Sequence, residues 1–249
     1  MYVLTGASRG LGYAAAEALV SDGARVVIAG RHQDTVEAAV AALGAQHAAG
    51  IVADLGDADG AQRLVALARE RFGRIDGALI SVGGPPLGGP LDIVEDAWLA
   101  AFQTIFLGTV RTARTVAAAI GAVASGQDAA IGIVLSTSVR VPLAGLAVSN
   151  GLRPGLAGFA KDLSNELGPR GIRVFSLLPG RVLTDRNRQI FAATGDAERA
   201  AAEAARSVPL RRLGEPAEFG RVAAFVLSPA ASYLTGIAIP VDGGSVSSL

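Results

Sequence analysis

The chain has 249 residues, 51% of them hydrophobic and 18% charged, which is enough for one α/β domain with a large core and unlike a disordered segment. Its 22 basic and 22 acidic residues cancel, so nothing favours nucleic acid or an anionic membrane as a partner. Cysteine is absent, which excludes disulfides, thiolate catalysis and cysteine metal sites; no metal centre is expected. The mean hydropathy of +0.43 comes largely from alanine and valine, and no apolar run reaches the roughly 18 residues of a membrane span. Met1–Gly10 reads straight into a strand and a glycine loop without a signal peptide, so the expected location is cytoplasmic.

In chain order, the first predicted strand is Tyr2–Leu4. The loop Thr5-Gly6-Ala7-Ser8-Arg9-Gly10-Leu11-Gly12 follows it and opens a helix. Glycines there permit a tight turn and let backbone amides approach a pyrophosphate, which the helix N-terminus stabilises. The second strand, Arg25–Ala29, runs into Gly30 and Arg31. A carboxylate at this point would bind both ribose hydroxyls of NAD and repel a 2′-phosphate. Arg31, with Arg9 in the glycine loop, suits a phosphate instead and favours NADP(H) over NAD(H). The third strand, Ile51–Ala53, ends at Asp54 and Leu55. Next comes an amphipathic helix, Ala61–Phe72, with Leu64, Val65, Leu67, Ala68 and Phe72 on one face.

The fourth strand, Ala78–Val82, leads into a Gly/Pro loop, Gly83–Pro90. Ile131–Ser136 and Ile172–Leu177 are the fifth and sixth strands, and Ile237–Val241 the last. Most of these runs are apolar without alternation, as strands covered on both faces should be. Thr184–Pro216 reads as an irregular, arginine-rich segment near the ligand-binding end of the sheet. Strands alternating with helices of crossover length predict a single domain over residues 1–249. Its expected form is a doubly wound Rossmann-type fold, a seven-stranded parallel sheet with helices on both faces.

TGASRGLG resembles the TGxxxGxG loop of the short-chain dehydrogenases/reductases, and the resemblance covers the whole chain. VADL (Val52–Leu55) resembles the segment that holds the adenine. Leu79–Gly84 stands in the place of the family's NNAG, Leu177–Thr184 resembles its PGxxxT stretch, and Ser232–Gly244 resembles its last strand. As a divergent member it resembles the 3-oxoacyl-carrier-protein reductases. The resemblance implies a nicotinamide cofactor held by Gly6, Ser8, Arg9, Gly10, Leu11, Gly12, Arg31, Asp54, Leu55, Ser81, Gly83, Pro179, Gly180 and Thr184. It also implies a small carbonyl or alcohol substrate and a homotetramer. An apolar run in Phe102–Val110 and another in Gly236–Val241 agree with oligomerisation.

At the chemistry end the family pattern breaks. The family works with a serine, a tyrosine and a lysine four residues after the tyrosine, supported by an asparagine. Ser138, after the fifth strand, matches the serine. Aligned through Asn165-Glu166-Leu167, the next helix puts Asn150 at the tyrosine, Pro154 at the lysine, and Ile105 at the supporting asparagine. No tyrosine lies between Tyr13 and Tyr233. Lys161, the only lysine, is 11 residues beyond Asn150 and about 16 Å along the helix.

A carboxamide can donate a hydrogen bond to a carbonyl but has no proton to give, and Arg153 can stabilise an alkoxide without protonating it. Ser138, Asn150 and Arg153 are therefore the catalytic candidates. Arg140, Arg153 and Arg181 would together suit an anionic substrate. With Asn150 as N-cap, Pro154 is expected to push the start of its helix to Gly151 or later, or to open it with a loosened turn. Two readings stay open. One is an NADP(H)-dependent oxidoreductase with altered acid–base groups. The other is a catalytically inactive nucleotide-binding sensor, or an inactive partner of a related subunit.

Overall fold

The computed structural model describes residues 1–121 and 128–248. Seven parallel strands lie in the order β3-β2-β1-β4-β5-β6-β7. They are β1 Tyr2–Leu4, β2 Val26–Gly30, β3 Ala48–Val52, β4 Gly77–Ile80, β5 Ala129–Val134, β6 Ile172–Pro179 and β7 Ile237–Val241. The strand order reverses between β1 and β4, and a crevice at the carboxyl ends of such strands is where doubly wound sheets bind ligands.

Every residue of β2, β4 and β5 is buried. Pleating sends alternate side chains to opposite faces. Val3, Val27, Ala78, Ile80, Ile131 and Ile133 join one core cluster, and Leu4, Val26, Ile28 and Leu79 the other. The first cluster is closed by α3 (Gly60–Phe72), α5 (Gly108–Ile120) and α6 (Ala147–Leu167). The second is closed by α1 (Gly10–Ser21), α2 (Gln33–Leu43) and α9 (Pro216–Leu227). Helices α1 and α9 meet backbone to backbone: a Cβ on Gly220 would lie 2.3 Å from the Ala14 carbonyl oxygen.

Three sequence expectations are corrected. β3 starts at Ala48 rather than Ile51, because Ala48-Ala49-Gly50 pairs along Val26–Ile28 despite lacking β-branched side chains. Thr184–Pro216 is not irregular throughout. It contains α7 (Asp185–Ala192) and α8 (Ala197–Arg206), started by the side chains of Thr184 and Asp196, which accept from the amides of Asn187 and Arg199. Finally, α6 runs unbroken from Ala147 with Pro154 inside it. Asn150 is not its N-cap, and Pro154 only removes the bond to the Asn150 carbonyl. Between α4 (Glu95–Ala101) and α5, residues Phe102–Leu107 form one π-helical stretch. Ile105 is buried there against the core.

Candidate active site

The glycine loop is shaped by what sits behind it. Gly6 has φ +56°, and a Cβ there would lie 2.6 Å from the Ser81 carbonyl oxygen. Thr5 and Ser81 clasp each other: the Thr5 hydroxyl donates to the Ser81 carbonyl at 2.8 Å and accepts from the Ser81 amide at 2.9 Å. This bond ties β1 to β4 at the switch point. Gly12 has no room for a Cβ either, which would lie 2.5 Å from the Gly6 oxygen. Gly10, at φ +61°, faces open space on its Cβ side. Leu11 packs beneath the loop on the second core cluster.

Gly30 is glycine for a packing reason. A Cβ there would lie 2.6 Å from the Ser8 hydroxyl oxygen and 2.9 Å from Val36. No acidic side chain fits at that point without displacing Ser8. Arg9 and Arg31 are both exposed beside it, and neither has an ion-pair partner among the described residues. Asp54 accepts from the Gly56 amide at 2.7 Å and so holds the turn that carries Leu55. Gly83 is exposed at the cleft. Pro179 and Gly180 end β6, with Gly180 pressed on Asp242, and Thr184 caps α7. These residues fit a dinucleotide: a turn closed behind by Gly6 and Gly12 and open at Gly10, guanidiniums beside it without an ion-pair partner among the described residues, and an uncapped helix N-terminus.

The chemical groups gather where β5 ends. Ser138 lies in a 3-10 turn, Thr137–Val139, whose start is capped by Ser136. Its hydroxyl oxygen is 3.0 Å from that of Ser149, and both residues are buried. Four residues after Ser149, on the same face of α6, Arg153 is 6% exposed. One of its terminal nitrogens donates to the carbonyls of Val134 (3.0 Å), the last residue of β5, and Leu135 (2.8 Å), the residue after it, and its buried Nε has no partner. Burial, then the nearby charge of Arg186, pull this guanidinium down to about 10, so it remains charged at neutral pH.

Asn150 is not in this group. Its side chain accepts from the Leu143 amide at 3.0 Å and donates to the Leu143 carbonyl at 2.8 Å, closing the loop before α6. The carboxamide is spent on structure. Pro154 is exposed. Arg140 and Arg181 are exposed as well, so of the three arginines expected in the cleft only Arg153 is buried with the serines. Ser149 was missed by sequence reasoning, although the helix pattern contained the signal. Ser149, Arg153, Leu156, Ala160, Leu163 and Leu167 form one buried stripe at spacings of three and four, and Asn150 falls off it.

A family model described as enoyl-(acyl carrier protein) reductase matches residues 6–246. The chain belongs to the short-chain dehydrogenase/reductase family. It is 33% identical over 250 residues to dehydrogenase/reductase SDR family member 4 of Pongo abelii, covering 99% of this chain and 87% of that one. It is 35% identical over 248 residues to an L-rhamnose 1-dehydrogenase (NAD(P)(+)) of Azotobacter vinelandii, covering 97% and 94%. Its fold superimposes with a TM-score of 0.91 on an NADPH-bound short-chain oxidoreductase of Pseudomonas aeruginosa PAO1 described as containing an atypical catalytic center. That match has 28% identity and covers 100% of this chain and 97% of the other.

Proposed function

We propose that this chain, an NAD(P)(H)-dependent oxidoreductase by family, uses NADP(H) and interconverts a small carbonyl compound and its alcohol at a site built from Ser138, Ser149 and Arg153. The observation that carries the reading is the 3.0 Å contact between two buried hydroxyls, set above a buried guanidinium at the carboxyl end of the sheet. The register of α6 is then one residue earlier than the sequence alignment had it. Ser149 takes the tyrosine's place and Arg153, four residues on, takes the lysine's.

The cofactor, when bound, supplies or accepts the hydride. The chain's residues manage the oxygen. The two hydroxyls hold a carbonyl oxygen by hydrogen bonds that shorten as negative charge develops on it, and the Arg153 charge one turn away favours that charge in a site of low dielectric. The hydroxyl bonded to the oxygen passes its proton on, and the deficit is filled through the second serine from water. A serine is a weak acid, so this site gives up part of the ~10²–10⁴-fold that a positioned acid contributes. Alignment of the reactants, which the fold still provides, is the larger share.

NADP(H) preference rests on Arg9, Arg31 and the absence of space for an acid at Gly30. Fluorescence titration should show NADPH binding at least ~10-fold tighter than NADH in the parent, and Arg31→Ala should remove most of that difference. Equal affinities in the parent would overturn the preference. The absence of any tyrosine near the serines favours the second reading, an inactive nucleotide-binding protein. Tight NADPH binding with no turnover of ketones, aldehydes or oxo acids would support it.

A further inference from the structure

One arginine outside this constellation lands on the loop that follows β4. Arg186 is in the first turn of α7, where a cation opposes the helix dipole and gains nothing from it. Its side chain crosses from the segment after β6 to the loop after β4. One terminal nitrogen donates to the Gly84 carbonyl at 3.1 Å and the other to the Pro85 carbonyl at 2.6 Å. The guanidinium lies flat on Gly84, where a Cβ would come within 2.3 Å of its central carbon. Glycine at 84 is what lets the group lie there.

The loop it lands on is tied to the helix that carries Ser149. The Gly84–Pro90 loop is stitched to the start of α6 by the Gly88 amide on the Gly145 carbonyl and the Ala147 amide on the Gly88 carbonyl. Two residues beyond Ala147 is Ser149. Burial holds the Arg186 guanidinium below its ordinary value, and its charge is felt at Arg153. Neither arginine has an ion-pair partner among the described residues. Arg153 is buried and Arg186 is exposed, and the two leave positive charge that a negative charge on a ligand would offset.

We infer that the substrate carries that charge: it is an oxo-carboxylate, or the corresponding hydroxy acid, whose carboxylate is taken by Arg186 while its carbonyl oxygen lies on Ser138 and Ser149. The two nitrogens that now donate to Gly84 and Pro85 are the planar pair that a carboxylate accepts bidentately, so the exchange replaces two neutral acceptors by one charged one. Arg153 is committed to the Val134 and Leu135 carbonyls and stays with the oxygen to be reduced. The inference rests on the oxidoreductase reading for the carbonyl but not for the carboxylate.

The test compares pyruvate and benzoylformate with their methyl esters as substrates of the NADPH-loaded protein. Calorimetric titration of the same complex with acetate and benzoate against acetamide and benzamide runs alongside. Oxo acids should be preferred over their esters. Arg186→Ala should lower the acid-to-ester ratio of kcat/KM by at least ~10-fold, chiefly through KM, with Arg186→Lys retaining part of it. If no carbonyl compound turns over but benzoate binds and Arg186→Ala abolishes binding, the carboxylate site stands and the oxidoreductase reading falls. A ratio that Arg186→Ala leaves unchanged overturns the inference, as does a loss of NADPH affinity that accounts for the whole effect. Failure of either carboxylate to bind better than its amide overturns it too.

Discussion

Ser149 and Asn150 are neighbours in sequence with opposite fates. One turns its hydroxyl into the buried stripe of α6, the other turns its carboxamide out to the loop at Leu143. Ser149→Ala, like Ser138→Ala, should therefore lower kcat/KM at least ~10-fold, about 1.4 kcal/mol of transition-state stabilisation. Asn150→Ala should leave kcat/KM within about 2-fold while costing about 1–3 kcal/mol of stability, because two hydrogen bonds to the Leu143 backbone are lost. The reverse pattern, activity lost at Asn150 and kept at Ser149, would restore the alignment-based assignment. The pH profile belongs to the same residues. Serine does not titrate in the working range, and Arg153 loses its charge only as pH rises through about 10. Reduction measured at saturating cofactor should be flat through neutrality and decline only toward that value. A limb near pH 7–9 would mean that another ionising group controls the step.

At the scale of elements, Pro154 is exposed in the interior of α6, where it removes one backbone bond without breaking the helix. Packing holds the helix through it: Gly151 faces the Trp98 ring and Gly155 faces Phe106. Pro154→Ala should therefore stabilise the protein. The restored bond and relieved ring are worth up to ~3 kcal/mol, reduced by the ~0.4–1 kcal/mol that proline's stiffness contributes through the unfolded chain. A rise of several degrees in Tm is expected, and a fall would show that the proline fits its local backbone better than alanine does.

Helix α9 carries a pH-dependent start. Glu215 and Glu218 form a capping box, and Arg212 donates to both oxygens of Glu218 at 2.7 Å. The Arg212 hydrogen bond, then the Glu215 backbone bond, hold the Glu218 carboxyl down to about 2 from 4.5. A depressed carboxylate stabilises fully above its unfolded value, so this contribution should disappear as pH falls from about 4.5 to about 2. The pair is on the surface, so Glu218→Gln should flatten only a small, salt-weakened part of the acid melting curve.

These two helices also show which parts of the sequence were legible. α9 is absent from the sequence expectations, although Pro216, Glu218 and the apolar run to Leu227 carry a start and a buried face. Apolar strands covered on both faces, such as β2 and β5, announce themselves through composition. β3 was read short because Ala48-Ala49-Gly50 has no strand signature apart from the neighbour it pairs with. The cofactor loop was legible because glycine there is a backbone requirement that any sequence must meet the same way. The chemistry end was not, because a one-residue choice of helix register decides which of Ser149 and Asn150 faces Ser138. Only the buried stripe continuing through Leu156, Ala160 and Leu163 settles that choice. Arg186 was invisible for a related reason: its partner atoms are backbone carbonyls in a loop 101–102 residues away.

For the whole molecule, the sheet divides the surface into two apolar patches. On the side closed by α3, α5 and α6, Leu91, Val94, Leu99 and Phe102 are exposed around α4, Leu91 almost fully. On the α9 and β7 side, Phe225, Tyr233 and Ile237 are exposed, with Tyr233 fully so. Apolar side chains grouped this way are costly in water and mark contact surfaces. If each patch packs on its own copy about a two-fold axis, two such axes through one protomer generate a closed tetramer of dihedral symmetry with no open ends. We therefore expect a homotetramer, the assembly the family resemblance implies, and the two patches should be separable. A charge placed in one interface leaves the other intact, so Phe225→Arg should yield a dimer by light scattering at micromolar concentration, and Leu99→Arg a dimer of the other kind. The double variant should be a monomer. The serine pair, Arg153 and the glycine loop come from one chain, so NADPH affinity in the dimers should follow the parent as long as the fold is intact by circular dichroism. A parent that is already monomeric would refute the assembly, and single variants that remain tetrameric would show that these patches are not its interfaces.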